Sequence, residues 1–170
     1  MAIVIYENPL ESKADHDDMI QEDEGFGLWC PKVFPADVKI EWEFRPVSGE
    51  GCAYISFAVK DENAFHVAYY KRESEADDAF HVCSLIKDAG GHVVAVGADP
   101  LPDVREGLPW YRMTILKKGK DVAFWINDLE ILSFHDDELT YGELLIGGNV
   151  GLRQVGSLTA DYRNLKVTWI

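Results

Sequence analysis

Positive charge is scarce in this chain. Its 170 residues carry 30 Asp and Glu against 16 Lys and Arg, a net charge of −14 with histidine neutral. The pI is near 4.6. A duplex-binding protein needs a basic face to meet phosphates, so nucleic acid is excluded as a partner. Docking on an anionic membrane is excluded on the same ground. Cysteine is also sparse: Cys30, Cys52 and Cys83 are the 3 present. An odd count at wide spacing fits neither a disulfide framework nor a zinc site. Three ordinary thiols suit a reducing cytoplasm. No apolar run approaches the ~18 residues of a membrane span. The opening Met-Ala-Ile-Val-Ile-Tyr-Glu-Asn-Pro is too short in apolar length for a signal core and lacks a positive leader. The cytoplasm is therefore the expected compartment. Phosphate loops, a Gly-x-Gly-x-x-Gly after a strand, a Gly-x-Ser-x-Gly elbow and a His-Glu-x-x-His pair are all missing. No cofactor and no metal is expected.

Helical periodicity is nearly absent, and period-two alternation takes its place. Val38, Ile40, Trp42 and Phe44 alternate with Lys39, Glu41, Glu43 and Arg45, the pattern of a strand with one wet face. Further strands are expected over Ala53–Val59, Phe65–Arg72, Phe80–Lys87, His92–Val96, Tyr111–Lys117, Val122–Ile126, Ile131–Phe134, Val150–Arg153 and Thr159–Trp169, all rich in β-branched and aromatic residues. Turn chemistry separates them: Lys118-Gly119, then Asn127-Asp128 in a two-residue hairpin with positive φ. Apolar residues are 47% of the chain, enough for one packed core. With no linker or repeat, residues 1–170 read as one domain. Many short strands without crossover helices imply an antiparallel sandwich or barrel.

Several stretches carry a family likeness. They are Trp29-Cys30-Pro31 with Phe34-Pro35, Asn63 to Arg72, Gly97-Ala98-Asp99-Pro100-Leu101-Pro102, Tyr111-Arg112-Met113, Thr140-Tyr141-Gly142 and Gly151-Leu152-Arg153-Gln154. In these the chain resembles the YesU-like family of bacterial proteins of unknown function. The resemblance implies an antiparallel β-sandwich of jelly-roll type, concanavalin A-like or galectin-like. It also implies an acidic plant-cell-wall oligosaccharide, of rhamnogalacturonan or pectin type, as the partner. The chain is shorter than the family pattern between Lys13 and Gly25 and between Val59 and Asn63.

One constellation suits that chemistry. A hairpin joining Phe65–Arg72 to Phe80–Lys87 would put His66, Tyr70 and Arg72 on one strand face, and pairing of the apolar faces would set the register. On that reading Arg72 lies opposite His81, and His66, Tyr70, Arg72, His81 and Lys87 converge. Imidazoles exchange protons near neutral pH, a shifted tyrosine is an acid or base, and arginine clamps a carboxylate. A uronate lyase needs that set, so His66, Tyr70, Arg72 and His81 are the expected catalytic residues. Lys87, His92, Asp99, Arg153, Gln154 and Trp110 are expected to touch substrate. The same face is read otherwise as a lectin site without proton transfer, or as a solvated hairpin. Three functions stay open: a lyase or hydrolase, a non-catalytic sugar-binding module, and a protein-interaction domain.

The remaining clusters read as structural. Glu11 to Glu24 holds 7 acids against Lys13 and reads as a solvated loop. Glu41 and Glu43 stand roughly 7 Å apart by strand geometry. Lys39 and Arg45 share that face, and the mixed signs read as a solvated surface. Asp99 suits a turn cap, and Cys83 a buried thiol.

Overall fold

A computed structural model describes residues 2–10, 20–21, 26–30, 32–60, 63–71, 81–88, 91–98 and 109–170. Among these described residues thirteen strands follow in order: β1 (Ile3–Asn8), β2 (Ile20–Gln21), β3 (Phe26–Trp29), β4 (Val38–Ser48), β5 (Gly51–Lys60), β6 (Asn63–Lys71), β7 (His81–Asp88), β8 (His92–Ala98), β9 (Tyr111–Lys118), β10 (Asp121–Ile126), β11 (Leu129–His135), β12 (Asn149–Gly156) and β13 (Thr159–Trp169). No helix occurs among the described residues. Over its described residues, every alternating segment of the sequence is a strand; Arg72 and Phe80, at the ends of two of them, lie outside those residues. The three elements not expected, β1 to β3, lie at the N-terminus, where β1 pairs antiparallel with β13 from the other end of the chain. The apolar run Ile3–Ile5 has an ordinary use as an edge strand, and the Lys32 ammonium donates to its Ile5 carbonyl at 2.7 Å.

The strands form two antiparallel sheets. One has 6 strands in the order β1-β13-β4-β9-β10-β11, the other 7 in the order β2-β3-β12-β5-β6-β7-β8. Period two puts Ile40, Trp42 and Phe44 of β4 on the inside of the first sheet, each 5% exposed or less. They meet Ile55, Phe57, Phe65, Val67 and Tyr69 of the second, each 4% exposed or less. Rings interlock across the gap, with Phe44 5.2 Å from Tyr69 and Phe65 6.4 Å from Phe134. A buried Phe contributes about 1.5–3 kcal/mol by area. The Asn127 turn joins β10 to β11 at φ 54°, and its backbone N–H donates to the Arg112 carbonyl at 2.7 Å. Gly97 lets the sandwich close at one side. A Cβ there would stand 2.2 Å from the Ile131 carbonyl oxygen, so β8 can approach β11 only without a side chain.

The β6–β7 register differs from the sequence expectation. Lys71 pairs with His81, and Phe65, Val67 and Tyr69 pair with Lys87, Leu85 and Cys83. The inner face of β7 is therefore Cys83, Leu85 and Lys87, not Val82, Ser84 and Ile86. Both faces of β7 carry apolar residues, so alternation alone did not choose between them. A charge selects the face the pattern disfavours. The Lys87 ammonium is fully buried and donates to Asp136 Oδ2 at 2.6 Å and to the Gly142 carbonyl at 3.1 Å. Asp136 is 1% exposed and also accepts from the Glu138 N–H at 2.9 Å. The pair joins β7 of one sheet to the residue just past β11 of the other. Removing one partner strands the other's charge in the core. Asp136→Ala is expected to lower unfolding stability by about 3–5 kcal/mol, and Lys87→Met with Asp136→Leu to recover most of it. Urea denaturation of the three proteins checks this.

Candidate functional site

The outer face of the seven-stranded sheet follows from the register. One row across it runs Trp29, Gly151, Ser56, His66, Ile86 and Val93 on β3, β12, β5, β6, β7 and β8. The next row runs Arg153, Tyr54, Ala68, Ser84 and Val96 on β12, β5, β6, β7 and β8. Gly151 lies beneath the Trp29 indole. A Cβ at that position would be 2.4 Å from a ring carbon, so the ring rests on bare backbone. The rows combine a half-buried indole, an imidazole, a phenol and an exposed guanidinium.

His66 is gripped at both ring nitrogens. Its Nδ1 lies 2.6 Å from Ser56 Oγ, and its Nε2 lies 3.4 Å from Asp88 Oδ2. The imidazole is 22% exposed and the Asp88 side chain 50%. Ser56 itself is buried at 2%. Burial pushes the His66 pKa below its ordinary value of 6.5; Asp88 pulls it back up, and the Arg153 charge presses it down further. The ring is therefore neutral at pH 7. Burial likewise drives Tyr54 up to about 12, helped by its hydrogen bond with Cys52. Its phenol is protonated and suited to donating, not to abstracting a proton. Neither Ser56 nor Asp88 was expected from the sequence. The cross-strand pairing Ser56↔His66 alone reveals the first.

Several expected site residues lie elsewhere. Lys87 points into the core on the opposite side of the sheet from His66, because its charge is satisfied there by Asp136. His92 pairs with Lys87 and packs its ring 5.3 Å from Tyr141, away from the His66 face. Gln154 turns inward: its amide donates to the Leu158 carbonyl at 2.6 Å and its Oε1 accepts from the Tyr162 hydroxyl at 2.9 Å. Trp110 has two guanidinium groups over its ring, Arg45 at 4.5 Å and Arg163 at 4.1 Å. Those arginines pair with Asp161 and Glu43 on the six-stranded sheet, on the far side of the sandwich from His66. Cys83 is fully buried on the core face. Arg153 is exposed and shares the face of His66. Tyr70 pairs with Cys52 and Val82 in the backbone, and His81 with Lys71 instead of Arg72. Arg72 and Asp99 lie outside the described residues.

The carboxylates of β4 are tied up. Glu41 pairs with Lys39 at 3.2 Å and Lys166 at 3.4 Å. Glu43 pairs with Arg163 at 3.1 Å, and hydrogen bonds from Arg163 and Asn164 hold its carboxyl below the usual range.

Two antiparallel sheets, a packed aromatic interior and one outer face bearing an indole, an imidazole and a guanidinium define a sandwich of galectin type. The chain belongs to the family described as "Domain of unknown function (DUF1961)", whose model matches residues 4–64 and 53–167. It is 32% identical to the uncharacterized protein YesU of Bacillus subtilis (strain 168), over 96% of this chain and 94% of that one. A Bacillus subtilis protein of unknown function with a galectin-like fold superposes with TM-score 0.85 at 32% identity, over 97% of this chain and 95% of that one. A carbohydrate-binding module from Bacillus subtilis shares the fold at TM-score 0.62 and 15% identity, over 94% and 92% of the two chains.

The titration of His66 has a checkable sign. Its folded pKa is depressed, so below about pH 6.5 the unfolded chain binds more protons than the folded one, and stability rises with pH through that window. The stability advantage of wild type over His66→Gln is expected to shrink on going from about pH 7 to about pH 5. Urea midpoints of the two proteins across that range measure it.

Proposed function

We propose that the protein binds acidic oligosaccharides along the outer face of its seven-stranded sheet. The observation that carries this is the gathering of Trp29, Tyr54, His66 and Arg153 on one face of adjacent strands. Sugar recognition needs an aromatic platform for apolar ring faces and a few oriented polar groups. Trp29 supplies the first, and Tyr54 and His66 supply the second. Arg153 is the cation for a sugar carboxylate, with two parallel donors that fit its geometry. The related architecture of a carbohydrate-binding module supports the reading. Pectin- and rhamnogalacturonan-type fragments are the substrates to test first.

A second reading, β-elimination of a uronate, draws on one feature: His66 is neutral at pH 7 and lies under the field of Arg153. Lys87, expected to touch the substrate, and Tyr54, which the structure adds to this face, are both unsuited to such a reaction. Lys87 is in the core, and Tyr54 holds its proton. Binding without turnover is the stronger reading.

Calorimetric titration with oligogalacturonates and rhamnogalacturonan fragments tests both. Binding by the wild type is expected, and Arg153→Ala is expected to weaken it about 10- to 100-fold. A lost hydrogen bond to a charged group is worth about 1.5–3 kcal/mol. Absorbance in the unsaturated-uronate band is expected to stay flat. A rise that His66→Ala abolishes establishes the lyase instead, and absence of binding to every fragment rejects sugar recognition.

A further inference from the structure

We infer that Ser56 and Asp88 convert His66 into a reader of one sugar hydroxyl, with Ser56 as a positioning residue that fixes which ring nitrogen carries the proton. The inference rests on the sugar-binding reading and assigns two residues that the reading leaves without a role.

The proton inventory fixes the tautomer. An ionised carboxylate only accepts, so the Asp88 contact at 3.4 Å is attractive only if Nε2 carries a hydrogen. A neutral ring with Nε2–H has a lone pair at Nδ1. The Ser56 hydroxyl, 2.6 Å away, must then donate to it. The opposite tautomer would aim the Nε2 lone pair at the carboxylate oxygens. Ser56 is buried at 2%, so its hydroxyl has little water to turn toward, and the ring is held in one orientation. The depressed pKa of His66 agrees with a neutral ring. Pinned in this way, the imidazole has no free lone pair with which to take a proton from a substrate.

The open side of the ring has a different character. Asp88 is half exposed, and its 3.4 Å separation from Nε2 is longer than a well-formed hydrogen bond. Nε2–H and the Asp88 carboxylate thus present a donor and an acceptor side by side at the surface. A hydroxyl oxygen seated beside the pair accepts from the first and donates to the second. A carboxylate cannot replace it, because Asp88 repels it and offers it no hydrogen. A ligand carboxylate is steered instead toward Arg153. That residue is two strands and one row away, roughly 12 Å between Cα atoms by strand spacing and rise. The ligand class is a uronic-acid oligosaccharide that presents a free hydroxyl to His66 and Asp88 and a carboxylate to Arg153.

Long-range ¹H–¹⁵N spectra of the full chain read the tautomer without any ligand. A protonated Nε2 and an unprotonated Nδ1 are expected in the wild type, and a mixture in Ser56→Ala. Titration with trigalacturonate is then expected to show binding weakened tenfold or more by Ser56→Ala and by Asp88→Ala, in proteins whose backbone spectra remain those of the folded wild type. Asp88→Asn keeps an acceptor for Nε2–H but offers the hydroxyl no anion, and is expected to fall between. A wild-type ring protonated at Nδ1 overturns the inference. So does wild-type affinity in Ser56→Ala and Asp88→Ala together. Failure of the wild type to bind any oligosaccharide overturns the underlying sugar reading instead, and is seen before any variant is made.

Discussion

The burial of the Lys87 ammonium against Asp136 is the constraint around which the seven-stranded sheet is arranged. An ion in the core costs several kcal/mol in lost hydration, and only a close partner with its own hydrogen bonds offsets it. Asp136 is that partner, at 2.6 Å. Since strand side chains alternate, putting Lys87 inside also puts Leu85 and Cys83 inside, opposite Val67 and Tyr69. Ile86 and Ser84 then face outward beside His66 and Ala68. A slip of one residue would expose Leu85 and leave Asp136 unpaired.

The two outer faces of the sandwich differ in kind. On the six-stranded sheet, acids and bases neutralise one another: Glu41 with Lys39 and Lys166, Glu43 with Arg163, Asp161 with Arg45. Trp110 belongs to that network, with two guanidinium groups over its ring. On the seven-stranded sheet, Trp29 rests on the bare backbone of Gly151, and Arg153 stands exposed. The charges of the first face are paired with one another, while on the second the guanidinium of Arg153 is exposed and the His66 imidazole is held by Ser56 and Asp88. That contrast is the physical ground for placing recognition on the face of His66.

How much could be read beforehand depended on the range of the interaction. The strands from Val38 onward were legible because each shows its own alternation, and the Asn127 turn because positive φ favours asparagine there. The N-terminal strands were not, since β1 acquires its meaning only by pairing with β13 at the far end of the chain. Among the proposed site residues, His66 and Arg153 drew attention because their residue types suit the chemistry, and the structure places both on one face. The contacts of Ser56 and Asp88 with His66 were not foreseen, because a serine or aspartate in a strand carries no local signal. Only the cross-strand neighbour turns it into part of a site. Lys87, His92, Gln154 and Trp110 drew attention for the same reason of residue type, and tertiary contacts gave them other partners.

The order of amino acids was sufficient for the fold class: alternation and turn residues act over a few positions and determine an antiparallel all-β chain, sandwich or barrel, whatever the details of pairing, and the family resemblance pointed to the sandwich. Which face each polar side chain occupies was decided only in three dimensions. The choice between the two faces of β7 turned on an ion pair formed 49 residues away in sequence, an energy that no local pattern contains.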